Sequence, residues 1–149
     1  MRVFTQPGTE KDLDDELARA SAAGCEIVFI DTPPGRSGEA LAAAEAADLV
    51  LIPFWSDMDS FEEVTRTALV AKRLGKQAYG VLNFATPNSR THEDTSREVL
   101  RAISLPLVPV VLHRYEVHKL ANLRGQTAQE IDPGARQPLR LRAPADCDH

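Results

Sequence analysis

An α/β fold built around a parallel sheet is the class this sequence predicts, and three observations predict it. Helix-like and strand-like segments alternate along the chain. Short apolar runs at 27 to 31, 49 to 53, 79 to 83 and 107 to 112 supply the strands, and the first two are continuous rather than alternating, as in strands buried on both faces. Glycine, proline or polar residues punctuate the segments between them. The alternation spans one domain over residues 1–135, without internal repeats. Residues 136–149 contain Pro and Arg, lack periodicity and are expected to form a flexible tail.

The elements follow in order. Thr9 can cap a helix with Asp12 three residues on; Leu13 and Leu17 share its inner face, and Gly24 stops it. The run Ile27-Val-Phe-Ile30 reads as a buried strand ended by Asp31 and broken by Pro33-Pro34-Gly35. Ser37 or Gly38 begins an alanine-rich helix to about Ala47, and the strand at 49 to 53 ends on Pro53. A helix from about Ser60 to Leu74 places Phe61, Val64, Ala68 and Leu69 on one side, with Gly75 as its stop. After the strand at 79 to 83 and a polar loop, Thr91 with Asp94 starts a helix carrying Val99, Leu100 and Ile103. The last strand is 107 to 112. A final helix from Arg114 to about Leu123 uses Val117, Leu120 and Ala121, and Gly125 stops it.

Composition narrows the function classes. The 149 residues suffice to bury roughly two thirds of the unfolded surface. Hydrophobic residues at 43% and charged residues at 26% are ordinary globular usage, and no apolar run is long enough to span a membrane. The N-terminus has no extended apolar region, so a cytoplasmic protein is expected. Two cysteines, Cys25 and Cys147, are too few for a zinc site or a disulfide framework. A net charge of −5 argues against nucleic-acid binding through overall charge while leaving a local basic patch open, and Arg136, Arg140 and Arg142 form a short basic run.

Asp31 carries the most chemistry. It ends a predicted strand, and ligands of open α/β sheets collect at the carboxyl ends of strands. A carboxylate there can hold a Mg²⁺ water shell, while the glycine of the following loop lets a backbone N–H approach a phosphate. The partner motif is missing: the one Gly-Lys dipeptide, Gly75-Lys76, is followed by Gln77 and has no glycine five residues earlier, so the chain contains no P-loop. His113 and His118 lie five apart and would not share a helical face as metal ligands. Phe54 and Trp55 follow a strand end and could line a cleft or cover the next helix. The acidic residues at 12 to 16 suit a helix's first turns.

The segments Ile-Asp31-Thr-Pro-Pro-Gly35 and Ala-Asp48-Leu-Val-Leu-Ile-Pro53, separated by an alanine-rich helix, resemble the ParA/MinD family of deviant P-loop ATPases. That family sits within the larger group of cobyrinate diamide synthase-like nucleotide-binding domains. The match runs from about Gly24 to Ala135, includes Val81-Leu-Asn83, Pro106-Leu-Val-Pro109 and Glu130-Ile-Asp132-Pro133, and looks nearest to the small plasmid-partition ATPases.

The resemblance implies ATP and Mg²⁺ as cofactors. Asp31 would orient the metal-bound water, Gly35 would sense the γ-phosphate through its N–H, Asn83 would read adenine, and Pro109 would wall the base pocket. It also implies partners: a second copy or a full-length homologue, a centromere-binding protein, and nonspecific DNA. Asp57, Asp59 and Ser60 compete for the family's helix cap after the strand proline.

The family's first strand, its lysine-bearing phosphate loop, the following helix and a second aspartate-bearing strand have no counterpart in the sequence. The chain is therefore expected to be an N-terminally truncated relative, inactive alone because phosphoryl transfer depends on the phosphate cradle. The resemblance places the absent strand between those at 27 to 31 and 49 to 53. Both would keep unpaired inner edges, so the chain should rearrange, pair with another chain or fold poorly. Asn83 could equally satisfy backbone groups at a strand end. Two further readings are a non-catalytic module that docks on a full-length relative or its partner, and a fragment of a related nucleotide-dependent ligase.

Overall fold

A computed structural model describes residues 12–33, 38–87 and 90–133. It is mixed α/β, with a two-stranded parallel sheet flanked by helices. In chain order the elements are α1 (Leu13–Ala22), α2 (Gly38–Ala46), β1 (Leu49–Phe54), α3 (Met58–Arg73), β2 (Gln77–Leu82), α4 (Arg90–Ala102), α5 (Glu116–Arg124) and α6 (Ala128–Ile131). The chain divides into two compact units, residues 1–50 with 71–77 and residues 51–70 with 78–149.

Within the first unit, α1 runs from Leu13 with Asp12 at its N-cap position, three residues after the start that a Thr9 cap would set, and no side-chain cap bond forms there. The expected cap, Thr9, lies outside the described residues. Gly24 adopts φ 75°, and its N–H donates to Ser21 O while Cys25 N–H donates to Ala20 O. This left-handed Schellman closure is one that glycine permits without steric cost. Cys25 is half-buried. The predicted strand at 27 to 31 does not form: residues 27 to 33 have no regular secondary structure, and Ile27 and Phe29 are 75% and 84% exposed. An apolar run becomes a strand only when another strand accepts its backbone groups, and among the described residues the sheet contains only β1 and β2.

The second unit holds most of the sheet. Alternate residues of β1 split into a buried set, Ile52 and Phe54, and an exposed set, Leu49, Leu51 and Pro53. Asn83 N–H donates to Phe54 O at 2.8 Å. Strand alternation then turns the backbone groups of Leu49, Leu51 and Pro53 away from β2. Pro53, which has no N–H to offer, thus lies on the outer edge of β1, the position a strand proline tolerates.

One face of this sheet is well covered. The rings of Phe54 and Phe61 of α3 stand 5.9 Å apart. Helix α4 presses on β2 so closely that a Cβ on Gly80 would collide with Leu100 Cδ2. Phe61, Val64 and Ala71 are the buried residues of α3, and Ala68 is half-buried, whereas Leu69 is exposed, shifting the inner face from the one expected. The helix begins at Met58 rather than near Ser60. Asp57 takes the cap: its Oδ1 accepts from Ser60 N–H at 2.8 Å, and Ser60 Oγ accepts from Trp55 N–H at 2.8 Å. Leu100 of α4 is buried as predicted, and one turn before it the hydroxyl of Ser96 is fully buried with no hydrogen-bond partner among the described residues.

The expected strand at 107 to 112 is present only as two isolated parallel bridges, Gly80 with Leu107 and Ala85 with His113. Gly80 N–H donates to Pro106 O and Val108 N–H to Gly80 O, but the next bond comes from Leu112 N–H to Leu82 O. A regular parallel ladder would place that donor at residue 110, so two extra residues loop out around Pro109. Helix α5 begins at Glu116, packs against α6, and buries Ala121. Its predicted Leu120 is exposed. Gly125 closes it at φ 61° as expected.

The short helix α6 was not foreseen. Its signal was the Thr127-Ala-Gln-Glu130 spacing of a capping box, and both reciprocal bonds are present. The bond from Thr127 N–H holds the Glu130 carboxyl below its ordinary range. The tail expected at 136–149 lies outside the described residues.

Candidate functional site

The carboxyl ends of β1, β2 and the 112–115 segment bring together the most chemistry within the second unit. Trp55 follows β1, Asn83 and Phe84 follow β2, and His113 lies beside Ala85 through its bridge. The turn from Trp55 to Ser60 is held by the two bonds that cap α3, which fixes the backbone carrying the indole.

Phe84 is positioned by an irregularity in the ladder. After Leu112 N–H donates to Leu82 O, a regular parallel ladder would return a bond from residue 84. The donor to Leu112 O is instead Ala85 N–H, at 3.1 Å, and Arg114 N–H then donates to Ala85 O at 3.0 Å. Phe84 is thus an inserted bulge residue at φ 54°. Its N–H donates at 2.9 Å to the Oδ1 of Asn83. The Phe84 and Trp55 rings meet at a centroid distance of 5.2 Å with 54° between their planes. They are 50% and 54% exposed. A second aromatic row follows in the next segment, where Tyr115 stands 6.1 Å from His113 and 6.2 Å from His118.

The sequence-predicted residues are distributed as follows. Asn83 stands at the carboxyl end of β2, with its side-chain oxygen engaged by a backbone N–H and its amide nitrogen bonded to nothing among the described residues. That is the backbone-satisfying role the sequence left open beside base recognition. Pro109 is exposed on the loop between the two bridges. Asp31 is exposed and belongs to the first unit, while Asn83 and Pro109 belong to the second. Gly35 lies outside the described residues, as do Arg136, Arg140 and Arg142. The Trp55–Phe84 pair was missed as a unit. Adjacent strand ends could have flagged it, but the bulge that turns Phe84 outward depends on pairing that no local pattern encodes.

Among the described residues no group of three or more His, Cys, Asp or Glu side chains could hold a metal ion. A Mg²⁺ ion held mainly by water and phosphate oxygens needs only one or two carboxylates, and an exposed Asp31 fits that lesser requirement. No helix of the described residues is long and apolar enough to cross a membrane. Compared with known proteins, the chain matches no family model and no curated sequence. What the fold defines is a small mixed α/β protein with a parallel strand pair.

Proposed function

We propose that this chain is the base-binding and switch part of a ParA-type partition ATPase, a protein that serves plasmid or DNA segregation in the cytoplasm. The observation that carries the reading is the place of Asn83 at the carboxyl end of β2, in a parallel β1–α3–β2 unit, with amide donors that bond to nothing among the described residues. Donors at that edge suit a ring nitrogen of a base. In this reading Asp31 holds a water of Mg²⁺, Gly35 meets the γ-phosphate, and Pro109 walls the base. ATP and Mg²⁺ bind productively only when a phosphate-binding loop is supplied.

The test is a titration of ATP·Mg²⁺ against the chain alone and against the chain joined to a Gly-x-x-x-x-Gly-Lys-Thr segment. The chain alone should not hydrolyse ATP, and the joined form should bind ATP in an Asp31-dependent way. Micromolar ATP affinity of the chain alone, abolished by Asp31→Ala, would overturn its assignment as incompetent without the loop. Failure of the joined form to bind would overturn the ATPase ancestry.

A second reading is favoured by a different observation. The exposed Ile27-Val28-Phe29 run and the exposed Leu49 and Leu51 of β1 leave apolar surface, and among the described residues no strand pairs with the second edge of β1, features that invite pairing with another chain. Here the chain is a non-catalytic module docking on a complete partition ATPase or on its centromere-binding partner. Light scattering of the chain with a complete ParA-type ATPase decides it: a stable complex is expected, and two non-interacting species would rule it out.

A further inference from the structure

The carboxyl edge of the sheet exposes a row of large apolar side chains within the second unit. Trp55 and Phe84 are in ring contact, Met58 follows Trp55 in the turn that caps α3, and Leu112 and Tyr115 stand on the next segment, each between 37% and 74% exposed. Backbone bonds make the row continuous: Leu112 N–H donates to Leu82 O and Leu112 O accepts from Ala85 N–H, so Leu112 brackets the Phe84 bulge. Single exposed apolar residues are ordinary, whereas a row of them marks an interaction surface, and Trp, Tyr, Phe and Met are the side chains that interfaces gather.

Two members of the row are held by their backbone. Trp55 N–H donates to Ser60 Oγ. Phe84 sits at φ 54°, a costly conformation for a bulky residue, fixed by Asn83 Oδ1 and the bracketing ladder bonds. Residues already held in place lose less freedom when something covers them.

Charge says what covers the row. Asp57 and Asp59 flank Met58, both exposed and neither ion-paired among the described residues, although Glu62 and Glu63 share Arg66 and Glu116 holds Lys119. The surface therefore suits apolar groups with positive charge beside them. The sequence contains that combination at Arg136-Gln-Pro-Leu139-Arg-Leu141-Arg142, where two leucines are set among three arginines. This segment lies outside the described residues.

Reach suffices. Helix α5 starts next to Tyr115, α6 packs against α5, and Pro133 follows α6 in the same unit as the row. The nine residues of α5 carry the chain about 14 Å from that edge, and residues 134–142, extended, span about 30 Å.

We propose that residues 136–142 dock on the row from Met58 to Tyr115 of the same molecule, with Leu139 and Leu141 on the apolar side chains and the arginines beside Asp57 and Asp59. A short tether supplies an effective concentration of about millimolar, so contacts too weak to hold a free peptide keep the row covered. The contact requires neither nucleotide nor Mg²⁺, and it stands or falls apart from the ATPase reading.

Trp55 is the single tryptophan of the chain, so acrylamide quenching of its fluorescence in the full chain reads coverage of the row. Leu139→Ser combined with Leu141→Ser should steepen the Stern–Volmer slope about twofold, because the apolar area that covers the ring is lost. Asp57→Asn combined with Asp59→Asn keeps the α3 cap, asparagine being an equal N-cap, and should also steepen it. Added salt should steepen the slope of the wild-type chain and leave that of the aspartate variant unchanged. A synthetic peptide of residues 134–144, added to the leucine variant, should restore the shallow slope, and the same peptide with both leucines replaced by serine should not.

Equal slopes in the wild-type chain and the leucine variant overturn the proposal, as does equal action of the two peptides. A wild-type slope that changes with protein concentration assigns the contact to a second copy and overturns it too. If the aspartate variant fails to fold, the leucine variant and the peptides decide alone.

Discussion

Residues 27–30 and 49–52 are apolar tetrads of nearly the same composition, Ile-Val-Phe-Ile and Leu-Val-Leu-Ile. Each is followed by a proline-containing turn or strand end, and each reads as a buried parallel strand. The second forms β1, hydrogen-bonds β2 and buries alternate side chains, Phe54 of them against Phe61 of α3. The first forms no strand and exposes Ile27, Val28 and Phe29. Their intrinsic preference for extended backbone is alike, so the difference teaches that a strand is a property of a pair. β1 is joined to β2 by a helix that returns the chain to its edge, whereas 27–30 has no neighbour in the sheet among the described residues.

Breaking the successful side of this comparison gives the largest effect. Leu82 is fully buried on β2, beside β1, and Leu82→Ala should cost about 2–5 kcal/mol in chemical denaturation because it leaves a cavity in the packed face of the sheet. A loss under 1 kcal/mol would mean that β2 is not the partner that makes β1 a strand. Next in size is the close approach of α4. Gly80→Ala would force a methyl against the buried Leu100 tip, and overpacking of this kind costs about 1–3 kcal/mol. The double variant with Leu100→Ala should recover part of the Gly80→Ala loss relative to Leu100→Ala alone, as measured by a double-mutant cycle.

A smaller effect should run in the opposite direction. The Ser96 hydroxyl is buried without a partner among the described residues, so Ser96→Ala should gain about 1 kcal/mol by removing a desolvated polar group. A loss instead would indicate that a water satisfies the hydroxyl. Smallest of all is the effect in the other tetrad. Phe29→Ser should change unfolding free energy by no more than about 0.5 kcal/mol, as at any exposed position, while reducing the binding of a hydrophobic dye. A large destabilisation would show that residues 27–30 do pack as a strand in solution, which would remove the contrast.

Helix content was legible because its signals are local. Gly24, Gly75 and Gly125 stop their helices in the left-handed conformation, at the residues where the sequence places the stops. The same local logic contains Thr127 and Glu130, whose capping box was overlooked. The asparagine at the end of β2 was also legible as a residue, though its role was not: the bond from Phe84 N–H to its oxygen follows from the bulge, and the bulge follows from how 112–114 pairs with 82–85. Trp55 and Phe84 lie nearly thirty positions apart in the chain, so nothing local could join them.

By itself the sequence determined where α1, α3 and α5 end, which runs are apolar enough to be strands, and that no P-loop is encoded. These depend on contacts within a turn or two and on residue chemistry. Tertiary structure alone decided which apolar run became a strand, that the 107–112 run breaks into two bridges, and that Phe84 turns out to meet Trp55. The physical reason is that strand backbone groups are satisfied only by a neighbour distant in sequence, and the register of that neighbour, not the run itself, sets where each side chain points.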